Sequence, residues 1–169
     1  LRLVGSEMCI RDSICTMSLI VFSATEGEIA PFQKWLDQEK KNDSLPPVKC
    51  IVTGPGILSG CYHITSALLQ HKPMLAIQAG IAGTLSGEIR IAETVIVKEE
   101  IIGDCGVTES GRFIDLFELG LMNKNNPPFQ DRKLPNPSIH NWSRLQIPAV
   151  RGVTVNQIST APSTVDYYK

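Results

Sequence analysis

The sequence predicts an α/β fold on a mostly parallel sheet, and three observations predict it. Short apolar runs alternate with segments of helical periodicity, the first run is apolar enough to be buried on both faces, and glycine-rich turns follow three of the runs. Leu19 to Phe22 is that first run, bounded by Ser18 and Ser23.

Glu28 to about Asn42 reads next as a helix. Ile29, Phe32, Trp35 and Leu36 form one stripe, with Lys34, Asp37, Lys40 and Lys41 opposite. Asn42 to Pro47 reads as a turn, and Val48 to Thr53 as a second strand. Ile57 to His71 is a second helix with Ile64 and Leu68 facing inward, and Pro73 prevents it from continuing. Met74 to Gln78 is a third strand, Glu93 to Lys98 a fourth, and Val150 to Val155 a fifth with period-two alternation. From Phe113 to Pro137 the pattern dissolves into an apolar patch (Leu116, Phe117, Leu119, Leu121) followed by Asn, Pro and Lys. A loop that long is functional or mobile, and residues 114–137 are expected to be an insertion. Nothing around Asp166 to Lys169 reads as a finished C-terminal helix.

Composition narrows the function. The chain is 43% hydrophobic with a net charge of −1, and acids and bases interleave. Its 169 residues suit one domain with a buried core. No basic stripe is available for a phosphate backbone, so no nucleic-acid partner is expected. The five cysteines, at 9, 15, 50, 61 and 105, form no C-x-x-C pair and read as free thiols in a reducing, cytoplasmic setting. His63, His71 and His140 lack metal-ligand spacing, so no metal is expected. No apolar run approaches the roughly 20 residues of a membrane span, and no membrane partner is expected. At the N-terminus, Met8-Cys9-Ile10-Arg11-Asp12 matches the translation of a common sequencing-library transposon end. Residues 1–16 are therefore expected to be a non-native tail, with the natural start at Met17 and residues 17–169 forming the N-terminal part of one domain.

In open α/β sheets, ligands bind beyond the carboxyl ends of the strands. The segments placed there are Ala24-Thr25-Glu26-Gly27-Glu28, Thr53-Gly54-Pro55-Gly56 and Gln78-Ala79-Gly80-Ile81-Ala82-Gly83. All three are expected on one edge. Gly54-x-Gly56-x-x-x-Gly60 is near the dinucleotide fingerprint, but its last spacing is one residue too long and no acid follows about 20 residues later. Those glycines serve either a ligand or only a tight turn. Glu28 also has two readings, as the fourth residue of a Thr25-x-x-Glu28 capping box or as a carboxylate at the mouth of a site. Pro31 counts against the box, because a helix capped at Thr25 would carry that proline beyond its first turn.

Leu19-Ile-Val-Phe-Ser-Ala-Thr-Glu-Gly-Glu28-Ile resembles the opening strand of the purine nucleosidase and nucleoside phosphorylase superfamily. Thr53 to Gly56, Gln78 to Gly83 and Ala149 to Val155 follow in that superfamily's order. Ala24 to Glu28, Val97 to Asp104 and Asp115 to Gly120 are most similar to futalosine hydrolases.

The resemblance implies a three-layer sandwich around a mostly parallel twisted sheet, incomplete in this chain. It implies that Glu28 positions and deprotonates the attacking water, and that Ile81-Ala82-Gly83 form the turn near ribose and base. Pro55 and Thr160 align with pocket-lining positions. Adenine-type relatives carry a serine at the position of Ile81 and an aromatic residue near that of Thr160; this chain carries neither. Phosphorylases of the superfamily grip phosphate with arginines, one of them just before this turn, where the chain has neutral Gln78; a dianion needs charge-assisted donors, so water is the nucleophile left. The implied reaction hydrolyses the N-glycosidic bond of futalosine and releases hypoxanthine, a step of menaquinone biosynthesis, with no cofactor and with a homodimer in the full-length protein. The superfamily's purine-protonating aspartate and ribose-binding glutamate are expected beyond Lys169, so the chain is expected to be truncated and inactive alone. The alternatives are a methylthioadenosine/S-adenosylhomocysteine nucleosidase and a non-catalytic nucleoside-binding relative.

Overall fold

The structure, a computed structural model, describes residues 18–39, 45–158 and 161–168. The expected tail over 1–16, Lys40 to Asn42 of the expected first helix, and Thr160 lie outside the described residues. The chain divides into two compact units, Leu1–Ile81 and Ala82–Lys169.

In the first unit β1 (Leu19–Ser23) is followed by α1 (Glu26–Glu39), β2 (Val48–Val52), α2 (Ile57–His71) and β3 (Leu75–Gln78). The three strands form a wholly parallel sheet in the order β2-β1-β3. The central strand is the apolar run with Ile20, Val21 and Phe22 at 5% exposure or less. Side chains alternate across a strand. Ile20 and Phe22 therefore cluster with Ala67 and Ile64 of α2, while Leu19 and Val21 face Ile29 and Phe32 of α1. Each face of this sheet carries one helix. Lys72 closes α2 in the left-handed conformation and donates its N–H to the Leu68 carbonyl at 3.0 Å, one residue before Pro73.

Helix α1 corrects one expectation. It begins at Glu26, directly after Thr25, and Pro31 lies inside it. The bond that Pro31 cannot donate would have reached the carbonyl of Gly27, an exposed residue of the first turn.

The second unit contains β4 (Ile96–Ile102), β5 (Gly106–Glu109), β6 (Arg112–Asp115), β7 (Leu134–Pro135), a 3₁₀ helix (Ile139–Leu145), β8 (Ala149–Thr154) and α3 (Pro162–Tyr168). β4 pairs in parallel with β8 and antiparallel with β7. The fourth strand starts at Ile96 rather than Glu93, because Glu93 closes a turn on Arg90 through its backbone N–H and its carboxylate. It runs on through Glu99 and Glu100, whose charges find partners: Lys133 and Arg151 for Glu99, the Thr154 hydroxyl for Glu100. The expected irregular stretch from Phe113 is ordered locally. Phe113 to Asp115 belong to β6, which pairs with β5 across a turn at Ser110 and Gly111, both with positive φ. Beyond it, Arg132 binds Asp115 at 3.1 Å and lies 6.0 Å from the centre of the Phe117 ring, which packs edge-on against Phe129. The segment after Ala161 is a helix, contrary to the reading of its sequence; Thr164 and Val165 bond back to the Ala161 carbonyl. Among the described residues, no helix is long and apolar enough to cross a membrane.

Candidate active site

The parallel register brings the carboxyl ends of β1, β2 and β3 side by side, with Ser23 opposite Val52 and Phe22 opposite Gln78. Hydrogen bonding continues past the strand ends. Thr53 donates its N–H to the Ser23 carbonyl at 2.8 Å, and Ala79 donates to the Phe22 carbonyl at 2.8 Å. Thr53 Oγ1 adds a second bond to the Ser23 carbonyl at 3.2 Å. The three turns of this unit therefore leave from one edge.

After β2, Gly54 and Gly56 take φ values of 78° and 93°. A Cβ on Gly54 would also stand 2.8 Å from Ser59 Oγ, whose hydroxyl donates to the Thr53 carbonyl at 2.5 Å. Backbone conformation and close packing account for these glycines; the turn-forming alternative is the one the geometry displays.

Glu28 caps its own helix, and its carboxylate also reaches the turn after β3. Its Oε2 accepts from the Thr25 N–H and the Thr25 hydroxyl, each at 2.8 Å, and from the Ser23 hydroxyl at 3.4 Å. Glu28 N–H returns a bond to Thr25 Oγ1 at 3.3 Å, which completes the capping box that Pro31 had argued against. The carboxylate is not used up by the cap. Oε1 accepts the backbone N–H of Ile81 at 3.0 Å, so it ties the turn after β1 to the turn after β3. These donors hold the Glu28 carboxyl below its ordinary 4.5, the Ile81 N–H contributing most and the Thr25 hydroxyl next; partial desolvation opposes them.

A cavity of about 370 Å³ runs between α1 and the sheet, with Ser23 and Glu28 at its polar end and Val21, Phe32, Trp35 and Ile77 among its apolar walls. Of the expected pocket residues, Ile81 is brought to Glu28 through its backbone, while the residue as a whole is 87% exposed. Pro55 is exposed in the turn after β2. Ala82 and Gly83 open the second unit and are exposed there, and Thr160 lies outside the described residues. Two residues of the site carry no role in the sequence reading. Ser23 appears there only as the end of a strand, and Gly80 as one glycine among several. A Cβ on Gly80 would stand 2.9 Å from Glu28 Oε1.

No family model and no curated protein matches the chain by sequence. Solved structures match it by fold. A futalosine hydrolase mutant of Helicobacter pylori is 12% identical with a TM-score of 0.65, covering 90% of this chain and 74% of its own. A Helicobacter pylori methylthioadenosine nucleosidase with 5′-methylthioadenosine in its active site is 11% identical with a TM-score of 0.63, covering 89% and 70%. The 5′-methylthioadenosine/S-adenosylhomocysteine nucleosidase of Neisseria meningitidis, in complex with methylthio-immucillin-A, is 15% identical with a TM-score of 0.63 and the same coverage. The chain therefore has the fold that these nucleosidases share.

Proposed function

We propose that the chain is a nucleoside N-glycosidase that hydrolyses futalosine and releases hypoxanthine, with Glu28 activating the water. The observation that carries this reading is the Glu28 carboxylate, ionised and held between two turns at the carboxyl edge of a parallel sheet, in a fold shared with nucleosidases. The water oxygen attacks the ribosyl C1′ as the C–N bond breaks; Glu28 takes one water proton and returns it to solvent, and the departing purine nitrogen takes one proton from solvent, so the net reaction consumes one water. The carboxyl is held low and is a modest base. That suffices for an oxocarbenium-like transition state, in which water adds late to an electrophilic carbon. In this reading Ile81, Ala82, Gly83, Pro55 and Thr160 line the nucleoside pocket, and Gln78 leaves no cation to hold phosphate. The same reading takes a three-layer sandwich as the fold of the domain, the cytoplasm as its place, menaquinone biosynthesis as its pathway and a homodimer as its assembly.

A second reading, hydrolysis of methylthioadenosine or S-adenosylhomocysteine, is supported by one neighbour with 5′-methylthioadenosine in its active site and by another, a 5′-methylthioadenosine/S-adenosylhomocysteine nucleosidase in complex with methylthio-immucillin-A. Ile81 favours futalosine, because adenine-type relatives carry a serine hydroxyl there. The test is to express the protein from its complete reading frame and offer each nucleoside in turn. Hypoxanthine released from futalosine is the expected product. Adenine from methylthioadenosine, with futalosine untouched, would select the second reading, and binding without turnover would select a silent relative.

A further inference from the structure

We propose that Thr25 is the positioning residue of the Glu28 base and that Glu28 Oε1 is the atom that takes the proton from water. The inference rests on the reading of Glu28 as the base. It follows from counting acceptor sites on the two carboxylate oxygens.

An ionised carboxylate offers about four lone-pair directions, two on each oxygen. Oε2 has both of its directions filled by Thr25, through the N–H and the hydroxyl at 2.8 Å each, with the Ser23 hydroxyl a longer third contact at 3.4 Å. Among the described residues, Oε1 accepts one bond, from Ile81 N–H at 3.0 Å. One direction on Oε1 is therefore left for a water, and none on Oε2. Thr25 thus does more than start a helix: it saturates one oxygen and turns the other toward the turn after β3. Gly80 completes the device. A Cβ there would stand 2.9 Å from Oε1, well inside contact distance, so the glycine keeps the reactive oxygen uncrowded. The groups that contact the carboxylate from β1, the cap and the turn after β3 (Ser23, Thr25 and Ile81) are all neutral, so hydrogen bonds rather than ion pairs set its orientation.

A residue that only capped α1 would behave differently under substitution. Glycine is tolerated at an N-cap with little loss of helix stability but has no hydroxyl, whereas serine keeps both the cap and the donor. The experiment compares Thr25→Gly, Thr25→Ser and Glu28→Gln in protein expressed from the complete reading frame. It reads the pH dependence of kcat/KM with futalosine and the titration of a ¹³C-labelled Glu28 carboxyl by NMR. In Thr25→Gly the Glu28 midpoint and the acid limb of kcat/KM are expected to move up together and kcat to fall about 10–10²-fold from lost orientation. Thr25→Ser should restore all three. If Thr25→Gly keeps the wild-type midpoint, acid limb and kcat while Glu28→Gln is inactive, Thr25 is a cap only and this proposal is overturned alone. If the midpoint moves but the acid limb does not, or Glu28→Gln stays active, Glu28 is not the base and both this proposal and the functional reading fall.

Discussion

Glu28 Oε1 accepts the backbone N–H of Ile81 at 3.0 Å across 53 residues of chain. The contact exists because β1 and β3 are adjacent and parallel in register, so the turns that follow them start at the same edge. A helix-capping carboxylate is usually spent on its own first turn. Here the second oxygen reaches a neighbouring turn, and this turns a local stabilising residue into a candidate for chemistry.

Replacing Glu28 by glutamine should lower turnover by about 10²–10⁴, the usual contribution of a positioned acid–base group, with little change in KM. Steady-state release of hypoxanthine from futalosine measures it. Turnover at the wild-type rate would remove Glu28 from the mechanism.

Gly80 and Gly27 should respond in opposite ways to alanine. At Gly80 the new methyl meets Glu28 Oε1 at 2.9 Å, and displacing that oxygen should cost up to about 10²-fold in kcat/KM. At Gly27 nothing lies within 4 Å of the added Cβ, and the residue sits in a helix. Gly27→Ala should therefore leave kcat alone and raise stability by about 0.5–1 kcal/mol in a urea titration.

Stability should depend on pH through Glu28 with a definite sign. Its folded carboxyl lies below the ordinary 4.5, so near that pH the native state binds fewer protons than the unfolded chain. The stabilisation is complete above the unfolded value and is lost as pH falls through the folded one. Urea titrations at stepped pH should show wild type and Glu28→Gln converging below about 4.5, the unfolded carboxyl's range. A difference that persisted or grew at lower pH would contradict the hydrogen-bond arrangement.

The two kinds of interaction in the chain should differ sharply in worth. Phe22 is 1% exposed at the centre of the first sheet, and Phe22→Ala should cost about 3–5 kcal/mol, a large part of a typical margin of about 5–15. Arg151 binds Glu99 at 2.7 Å but its side chain is 71% exposed, so Arg151→Ala should change stability by about 1 kcal/mol or less. Chemical denaturation of the two variants side by side checks the ratio.

Legibility differed between the elements for reasons that can be stated. Leu19 to Phe22, Ile57 to His71 and, within a residue, Val150 to Val155 were readable because an apolar run or a helical stripe has the same period in sequence as in the fold. The start of α1 was misread at Pro31, since the rule against proline inside helices weighs a lost bond without seeing that Gly27, whose carbonyl loses it, is an exposed residue. The β5–β6 hairpin and the loop held by Arg132, Asp115 and Phe117 escaped notice because no periodic pattern marks a segment ordered by pairwise contacts. Likewise α3 was not seen in a tail of seven helical residues, too short for a stripe to declare itself.

By itself the sequence determined the alternation of strands and helices, the first strand as one buried on both faces and the identity of Glu28 as the carboxylate to examine, because those depend on local period and on residue chemistry. Tertiary structure alone decided that the turns after β1 and β3 touch, that Glu28 Oε1 meets the Ile81 N–H, and that Gly80 is the glycine lying against the carboxylate. Those facts are distances between residues far apart in the chain. They follow from strand order and register, which no local pattern encodes.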